Sequence, residues 1–257
     1  MNVIPIITGL LGGGTDLAKI FLEKHTFQVD DILVVSSKIV AVSEKRVIDL
    51  ASISPSKQAL KLSNKTGLAP SFVELILHET KRMNGSVEGV CPHAILTRLK
   101  PHGMKSGSIL CPNAGVDQSN AEVGHAIPWP EDPVRSAQNL QKKLGVPVII
   151  SDSCCHMGRL GVTAFALTVS GLKPVQSEIG NNDLHGRSLR ITHEATADQL
   201  ATAGNAVMGN SAQAIPAAVI RGFPIPRNTE AGWVEGIDPK DDLFREILRS
   251  SSGTLRS

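Results

Sequence analysis

The chain has no tyrosine, and aromatic residues make up only 3% of its 257 positions. Binding of single-stranded nucleic acid by base stacking needs an aromatic platform, and this sequence has little to build one from. Charge of one sign is also missing: 26 Lys and Arg face 24 Asp and Glu, a net of +2. Broad electrostatic recognition of a phosphate backbone is therefore not expected. The four cysteines, Cys91, Cys111, Cys154 and Cys155, never fall at C-x-x-C spacing. A zinc site or redox motif is not indicated, and adjacent Cys154 and Cys155 could close only a strained ring. They read as reduced thiols of a cytoplasmic protein. The eight histidines show no H-x-x-x-H spacing, which argues against a zinc hydrolase. The apolar start, "MNVIPIITGLLGGGTD", has no basic region before it and is interrupted by Asp16 and Lys19. It is too short to span a membrane and is not patterned as a secretory signal.

With 41% hydrophobic and 19% charged residues, the chain has the composition of an ordinary globular protein. At this length it can bury a core without disulfides or a structural metal. No Gly-, Pro- or Ser-rich linker divides it and no repeat is visible, so one domain over 1–257, with two closely packed subdomains, is expected. Residues 2–8 and 31–41 read as buried strands on their Val and Ile content. Between them "TDLAKIFLEK" has helical spacing, with Thr15 or Asp16 as N-cap. Helices are expected at 55–65 and 70–83, the second opened by Pro70. Short strands at 94–99 and 107–111 precede a polar loop, and a helix at 132–143 leads into the strand "VPVIISDS". The strand "VTAFALTVSGL", the helix "TADQLATAGNAVM", the strand "IPAAVIRG" and a terminal helix in "DPKDDLFREILRSS" complete the order. Helices and strands mix without strict alternation, which indicates an α+β fold.

Several stretches could carry chemistry. "GLLGGGTD" could cradle an anion before a helix N-terminus, or it could be a plain flexible turn. It has neither the Walker A nor the Rossmann pattern. Asp117, in "NAGVDQSN", and Asp152, in "VIISDS", each follow a strand-like run. With Asn120 and Ser153 they offer the oxygen ligands that Mg²⁺ or Mn²⁺ prefers, although acids in such places also cap turns. Arg187 could bind a carboxylate or phosphate, or pair with Asp183 or Asp198. Cys154 beside His156 suggests a thiol nucleophile only weakly, because sequence neighbours seldom face each other.

The series "DDILVVSSKIVAVSEKRVIDL", "NAGVDQSN", "VIISDS", "GVTAFALTVSGL", "NDLHGRSLRITHEATADQLA" and "VMGNSAQAIPAAVIRG" resembles the coenzyme F420-0:L-glutamate ligases in order and spacing, from about residue 3 to 222. The resemblance implies that family's α+β fold, with a two-part protomer in an intertwined homodimer. It implies a reaction in which L-glutamate is joined to F420-0 as a γ-glutamyl amide, using GTP, Mg²⁺ or Mn²⁺, and K⁺ as a further ion. A carboxylate does not acylate an amine at neutral pH, so the nucleotide would first convert it to an acyl phosphate. Asp117, Asp152, Ser153 and Asn210 match the metal positions. Leu10, Leu11, Gly12, Gly13, Ser37, Lys38 and Asn120 match nucleotide contacts, as do Met208, Gly209, Asn210, Ser211, Ala212, Gln213, Ala214 and Ile215. No catalytic acid or base is assigned.

Four positions depart from the pattern. Val42 replaces a nucleotide-contacting Lys, Asn210 a metal-binding acid, and His185 a Tyr, while Thr is usual at Ser153. "SCCHMGR" is also unusual where it stands. Two further readings therefore accompany the first: a γ-glutamyl ligase for a folate or other pterin-like acceptor, and a catalytically silent nucleotide- or cofactor-binding relative.

Overall fold

A computed structural model describes residues 1–224, 227–238 and 240–244. It is a mixed α+β structure divided into two compact units. The first comprises Met1–Leu11, Asp16–Val40 and Asp132–Val234, and the second Gly12–Thr15, Ala41–Glu131 and the chain from Glu235 onward.

The first unit is built on a six-stranded sheet in the order Asn2–Ile6, Ala217–Arg221, Asp31–Ser36, Val148–Cys155, Val162–Leu172 and Arg227–Trp233. Only Asp31–Ser36 and Val148–Cys155 run parallel; the other neighbours are antiparallel. The central run "DILVVS" is apolar at successive positions because both of its faces are covered, and Ile32 to Val35 are essentially inaccessible. The helix Thr196–Met208 presents Ala197, Leu200, Ala201, Gly204 and Met208 to the core, at helical spacing. A methyl group on Gly204 would lie 2.9 Å from a Val34 methyl, so glycine sets how closely this helix approaches the sheet. Buried Asp31 is matched across the ladder by Arg221, whose Nε and Nη2 donate to its carboxylate at 2.6 and 2.8 Å. The pairing offsets the cost of burying that charge.

In the second unit an antiparallel sheet of Ser86–Cys91, Ala94–Leu99 and Ile109–Pro112 accompanies the helices Lys57–Thr66 and Pro70–Arg82. Arg46 ties this unit together. It donates to Trp129 O at 2.6 Å, to Glu79 at 2.6 Å and to Glu131.

Most of the expected elements are present, including the helix Leu17–Lys24 with Asp16 accepting from Ala18 N and Lys19 N. The expected strand at 31–41 ends at Ser36, and Ser37–Ser43 is helical. Its last ladder partner is Ser151, and Ser36 N donates to Pro216 O; from Ser37 the chain turns into a helix and pairs with neither neighbour, although Val148–Cys155 itself continues. The strand expected at 107–111 starts two residues later, at Ile109. The strands Ser86–Cys91 and Arg227–Trp233 have no counterpart among the expected elements. Of the expected terminal helix, Lys240–Phe244 is turn-like, and Pro239 and residues 245–251 lie outside the described residues.

Candidate functional site

In the first unit the sheet register gathers the candidate residues at one end. The strand Asn2–Ile6 finishes where Ala217–Arg221 begins, with Ile6 opposite Ala217. In the same region Ala217 faces Val35, and Ser36 faces Ser151. Ser37 and Lys38, and Asp152 and Ser153, follow this row directly, and Leu10 and Leu11 come after Ile6 by way of Ile7, Thr8 and Gly9. The loop Gly209–Pro216 leads into it, and Thr8 N donates to Ala214 O at 3.2 Å. Loops at the carboxyl end of parallel strands are where α/β scaffolds present ligand-binding groups.

That loop has a defined shape. Gly209 ends the helix with a φ of 69°, and a methyl group there would lie 2.6 Å from Gln213 Cδ. Gln213 folds back over it and accepts from Ser211 N at 2.8 Å. Ala214 holds a φ of 54°, which is strained for a residue bearing a Cβ. Met208 is buried in the core, while Asn210 to Ala214 are exposed.

Asp152 stands opposite Phe165 on the strand Val148–Cys155, and its Oδ1 accepts from Ser153 N at 2.9 Å. Two residues on, the Cys154 thiol is pushed up to about 12, first by burial and then by Cys155 and Asp152. It stays protonated at neutral pH, which removes it as a nucleophile. All four cysteines are free thiols. Arg187 pairs with Asp183 at 3.0 Å, the first of the two structural partners the sequence offered. The Asp183 carboxyl, which also accepts from Arg187 N and His185 N, is held below the usual range.

In the second unit Asp117 emerges from a distorted turn. Asn113, Ala114 and Gly115 take φ values of 55°, 52° and 71°, three left-handed residues in succession. The surroundings hold them there. Asn113 Oδ1 accepts from Ile95 N at 2.9 Å, and Ala114 N donates to Thr97 Oγ1 at 3.2 Å. A methyl group on Gly115 would lie 2.1 Å from the buried Trp129 ring. Asp117 then bridges to Ile127 through both backbone groups, and its carboxylate accepts from Ser119 N at 2.8 Å and Ser119 Oγ at 2.7 Å. Asn120 is exposed with a φ of 58°. The turn reading of this loop is correct as far as it goes, but backbone strain of this kind collects at functional sites.

Gly12 and Gly13 lie in a turn closed by Thr15, whose N–H and hydroxyl both donate to Gly12 O. Gly14 N donates to Ser43 O at 2.8 Å. The side chain of Lys45 runs along this turn: a methyl group on Gly13 would lie 3.1 Å from Lys45 Cγ, and one on Gly14 3.3 Å from Lys45 Cε. Sequence alone does not reveal this neighbour, because its position depends on the left-handed φ of 61° at Lys45 itself.

A family model described as F420-0:Gamma-glutamyl ligase matches residues 5–222. The coenzyme F420:L-glutamate ligase of Methanothermobacter thermautotrophicus is 36% identical, covering 92% of this chain and 95% of the relative. Those of Methanopyrus kandleri and Methanosarcina mazei are 38% and 34% identical, with at least 90% of both chains covered. The chain belongs to the F420-0:gamma-glutamyl ligase family. It is accordingly an enzyme of the ligase type.

Asp117 with the Ser119 hydroxyl, and Asp152 with the neighbouring Ser153, are oxygen donors that suit a hard divalent cation. Among the described residues no three His, Cys, Asp or Glu side chains gather into a metal-holding group. None of the described helices is long and apolar enough to cross a membrane.

Proposed function

We propose that the chain joins L-glutamate to coenzyme F420-0 as a γ-glutamyl amide, driven by GTP and a divalent cation. An oxygen of the acceptor carboxylate attacks the γ-phosphorus of GTP, giving an acyl phosphate and GDP. The glutamate amine then attacks the acyl carbon, phosphate leaves with the C–O bond pair, and the nitrogen gives up a proton. Mg²⁺ or Mn²⁺, when bound, offsets the negative charge on the phosphates as the two anions meet. Asp117 and Asp152 are the proposed protein ligands, joined by Ser153 and the amide oxygen of Asn210. With so few acids the protein alone would hold such a cation weakly, so metal binding is expected to depend on nucleotide.

The observation that carries this reading is family membership over nearly the whole chain at 33–38% identity. Two features of the chain support it. Ser37, Lys38 and the segment Met208–Ile215 lie toward one end of the first unit's sheet, and Leu10 and Leu11 follow Thr8, whose N–H donates to Ala214 O, an arrangement compatible with a shared nucleotide. Lys45 lies along the Gly12–Thr15 turn and offers a cation where Val42 brings none. Asn120, Gly12 and Gly13 complete the proposed nucleotide contacts.

The working form is proposed to be a homodimer. Met157, Leu160 and Val162 at one hairpin tip, and Ile179, Leu184 and Ile191 around a second hairpin, are large apolar side chains left exposed. Such surfaces are usually covered by a partner.

Purified protein incubated with F420-0, L-glutamate, GTP and Mn²⁺ is expected to yield an acceptor heavier by one glutamyl residue, detected by mass spectrometry. It should elute at the mass of a dimer in light scattering. Glutamyl transfer to a folate-type acceptor but not to F420-0 would replace the acceptor in this reading, and product formation without nucleotide would overturn the mechanism.

A further inference from the structure

The second unit contains a pocket of about 410 Å³ that none of the nucleotide or metal assignments uses. Its walls come from Asn84, from the outward face of the three-stranded sheet at Ser86 and Arg98, from the chain between Lys100 and Ser108, and from Asp238. Ile95, Thr97 and Leu99 point into the core, so strand alternation turns Arg98, and Lys100 just beyond the strand, to the outside. Lys105 reaches the same space from the loop, and Ser86, Ser106 and Ser108 add hydroxyls, that of Ser86 donating to Glu88 at 2.6 Å. The single carboxylate in the lining is Asp238, which is paired with Lys240 at 3.5 Å.

The cations are unevenly neutralised. Arg98 Nε lies 3.4 Å from Glu88, and its Nη1 donates to Ser108 Oγ at 3.0 Å. Among the described residues Arg98 Nη2 has no hydrogen-bond partner, and neither Lys100 nor Lys105 lies within ion-pair distance of a carboxylate, although the charge of Lys100 helps to lower the Asp238 carboxyl. The walls are fixed by backbone contacts. Lys100 N donates to Met83 O at 2.9 Å, and the loop is pinned by buried Pro101 and Met104. A methyl group on Gly107 would lie 2.2 Å from the Gly236 carbonyl carbon, so the two glycine backbones touch. Ser106 Oγ donates to Glu235 at 2.8 Å.

We propose that this pocket is a binding site for a small molecule carrying two or more oxyanion groups. Three cationic side chains repel a metal ion, and together with three hydroxyls they offer little to an apolar ligand. They match phosphate or carboxylate oxygens, with the Arg98 fork as the directional contact. The volume falls in the range of small-molecule sites and exceeds what one phosphate needs. Pre-set walls reduce the ordering that binding would otherwise require. A phosphorylated compound and a γ-linked polycarboxylate share this chemistry. The site does not depend on the ligase reading, because it is defined by residues outside that machinery.

The test is calorimetric titration of the full-length protein with pyrophosphate, and separately with γ-glutamylglutamate, in EDTA and without nucleotide. Binding is expected for at least one probe, weakening as salt is raised. Perturbed amide signals at Gly107 and Ser108 should place it here. Which probe binds more tightly tells phosphate from carboxylate. Replacing both lysines (Lys100→Ala with Lys105→Ala) should weaken binding by about tenfold or more. Lys100→Arg with Lys105→Arg should retain it, and Asp238→Asn should tighten it. Failure of both probes to bind, unchanged affinity in the double-alanine protein, or shifts confined to other residues would overturn the proposal. Product formation in the ligase assay has no bearing on these outcomes.

Discussion

Asp152 is carried by an eight-residue strand, just past a register shift in its ladder with Val162–Leu172, whereas Asp117 follows three consecutive residues in left-handed conformation. The same kind of donor is thus delivered in two ways. On the strand, position is a matter of register: moving Asp152 means sliding Val148–Cys155 against two neighbours, which would turn its buried residues outward. In the turn, position depends on strain held in place by Trp129, Thr97 and Asn113. A register site therefore tolerates change in nearby side chains, and a strained turn does not.

The largest expected effect separates chemistry from folding. Asp117→Asn and Asp152→Asn should each lower product formation on the order of a hundredfold or more, since each removes charge from a proposed metal ligand. Each should cost less than about 1 kcal/mol of stability, the scale of one exchanged hydrogen bond. Steady-state rates beside urea unfolding would check both. An Asp152→Asn protein with full activity would remove the strand from the site.

Next comes the clamp. Gly115→Ala forces a methyl group against Trp129 at a φ of 71°, combining overpacking with backbone strain. A loss of about 3–5 kcal/mol is expected in chemical denaturation. Gly204→Ala, at the contact of helix and sheet, should cost less, because its backbone is helical and the overlap, with Val34 Cγ1 at 2.9 Å and Cβ at 3.0 Å, is milder than that with the Trp129 ring. Equal losses would erase the distinction between strained turn and regular packing.

The smallest effect concerns two acids of the first unit, buried Asp31 and partly buried Asp198, whose carboxyls are shifted in opposite directions. Burial raises the Asp198 carboxyl above the ordinary 3.8, against the pull of the Ala166 N–H and of His156. Its charged form is less favourable in the folded chain, so stability falls as pH rises from 3.8 through the raised value. Burial also works against the charge on Asp31, but Arg221, the Gln28 N–H and His25 outweigh it and lower that carboxyl. Asp31 therefore stabilises above 3.8, and its contribution is lost as pH falls through the lowered value. Asp198→Asn should give a small gain at pH 7 that vanishes near pH 3, read from thermal unfolding at both. A loss at pH 7 would mean that the charged carboxylate is wanted where it is.

The same contrast explains what the sequence reveals. Strands and helices of the first unit are legible because periodic burial writes them into the chain. "VTAFALTVSGL" and "TADQLATAGNAVM" match observed elements residue for residue. The run "DILVVSSKIVA" misleads because apolar residues continue past Ser36, where its ladder pairing ends and a helix begins. "NAGVDQSN" shows its polar character but not its run of left-handed backbone, since in Asn113–Gly115 Gly favours that conformation and Asn tolerates it, whereas Ala does not. The strain comes from Trp129 and Thr97, which sequence distance hides. Lys45 beside the Gly12–Thr15 turn and the basic pocket around Arg98 are missed for the same reason: each is assembled from residues that only the fold brings together.

The central claim is that the chain is a nucleotide-driven, metal-dependent ligase in which Lys45 supplies charge that Val42 lacks. Calorimetric titration of GTP into wild type, Lys45→Met and Val42→Lys, each with Mn²⁺ and again with EDTA, tests it most directly. The account predicts that wild type binds only with Mn²⁺ and that Lys45→Met binds roughly ten- to a hundredfold more weakly, the worth of one charge-assisted phosphate contact. It also predicts that Val42→Lys binds more tightly. No binding by wild type with Mn²⁺, or equal affinity with and without the metal, would contradict it.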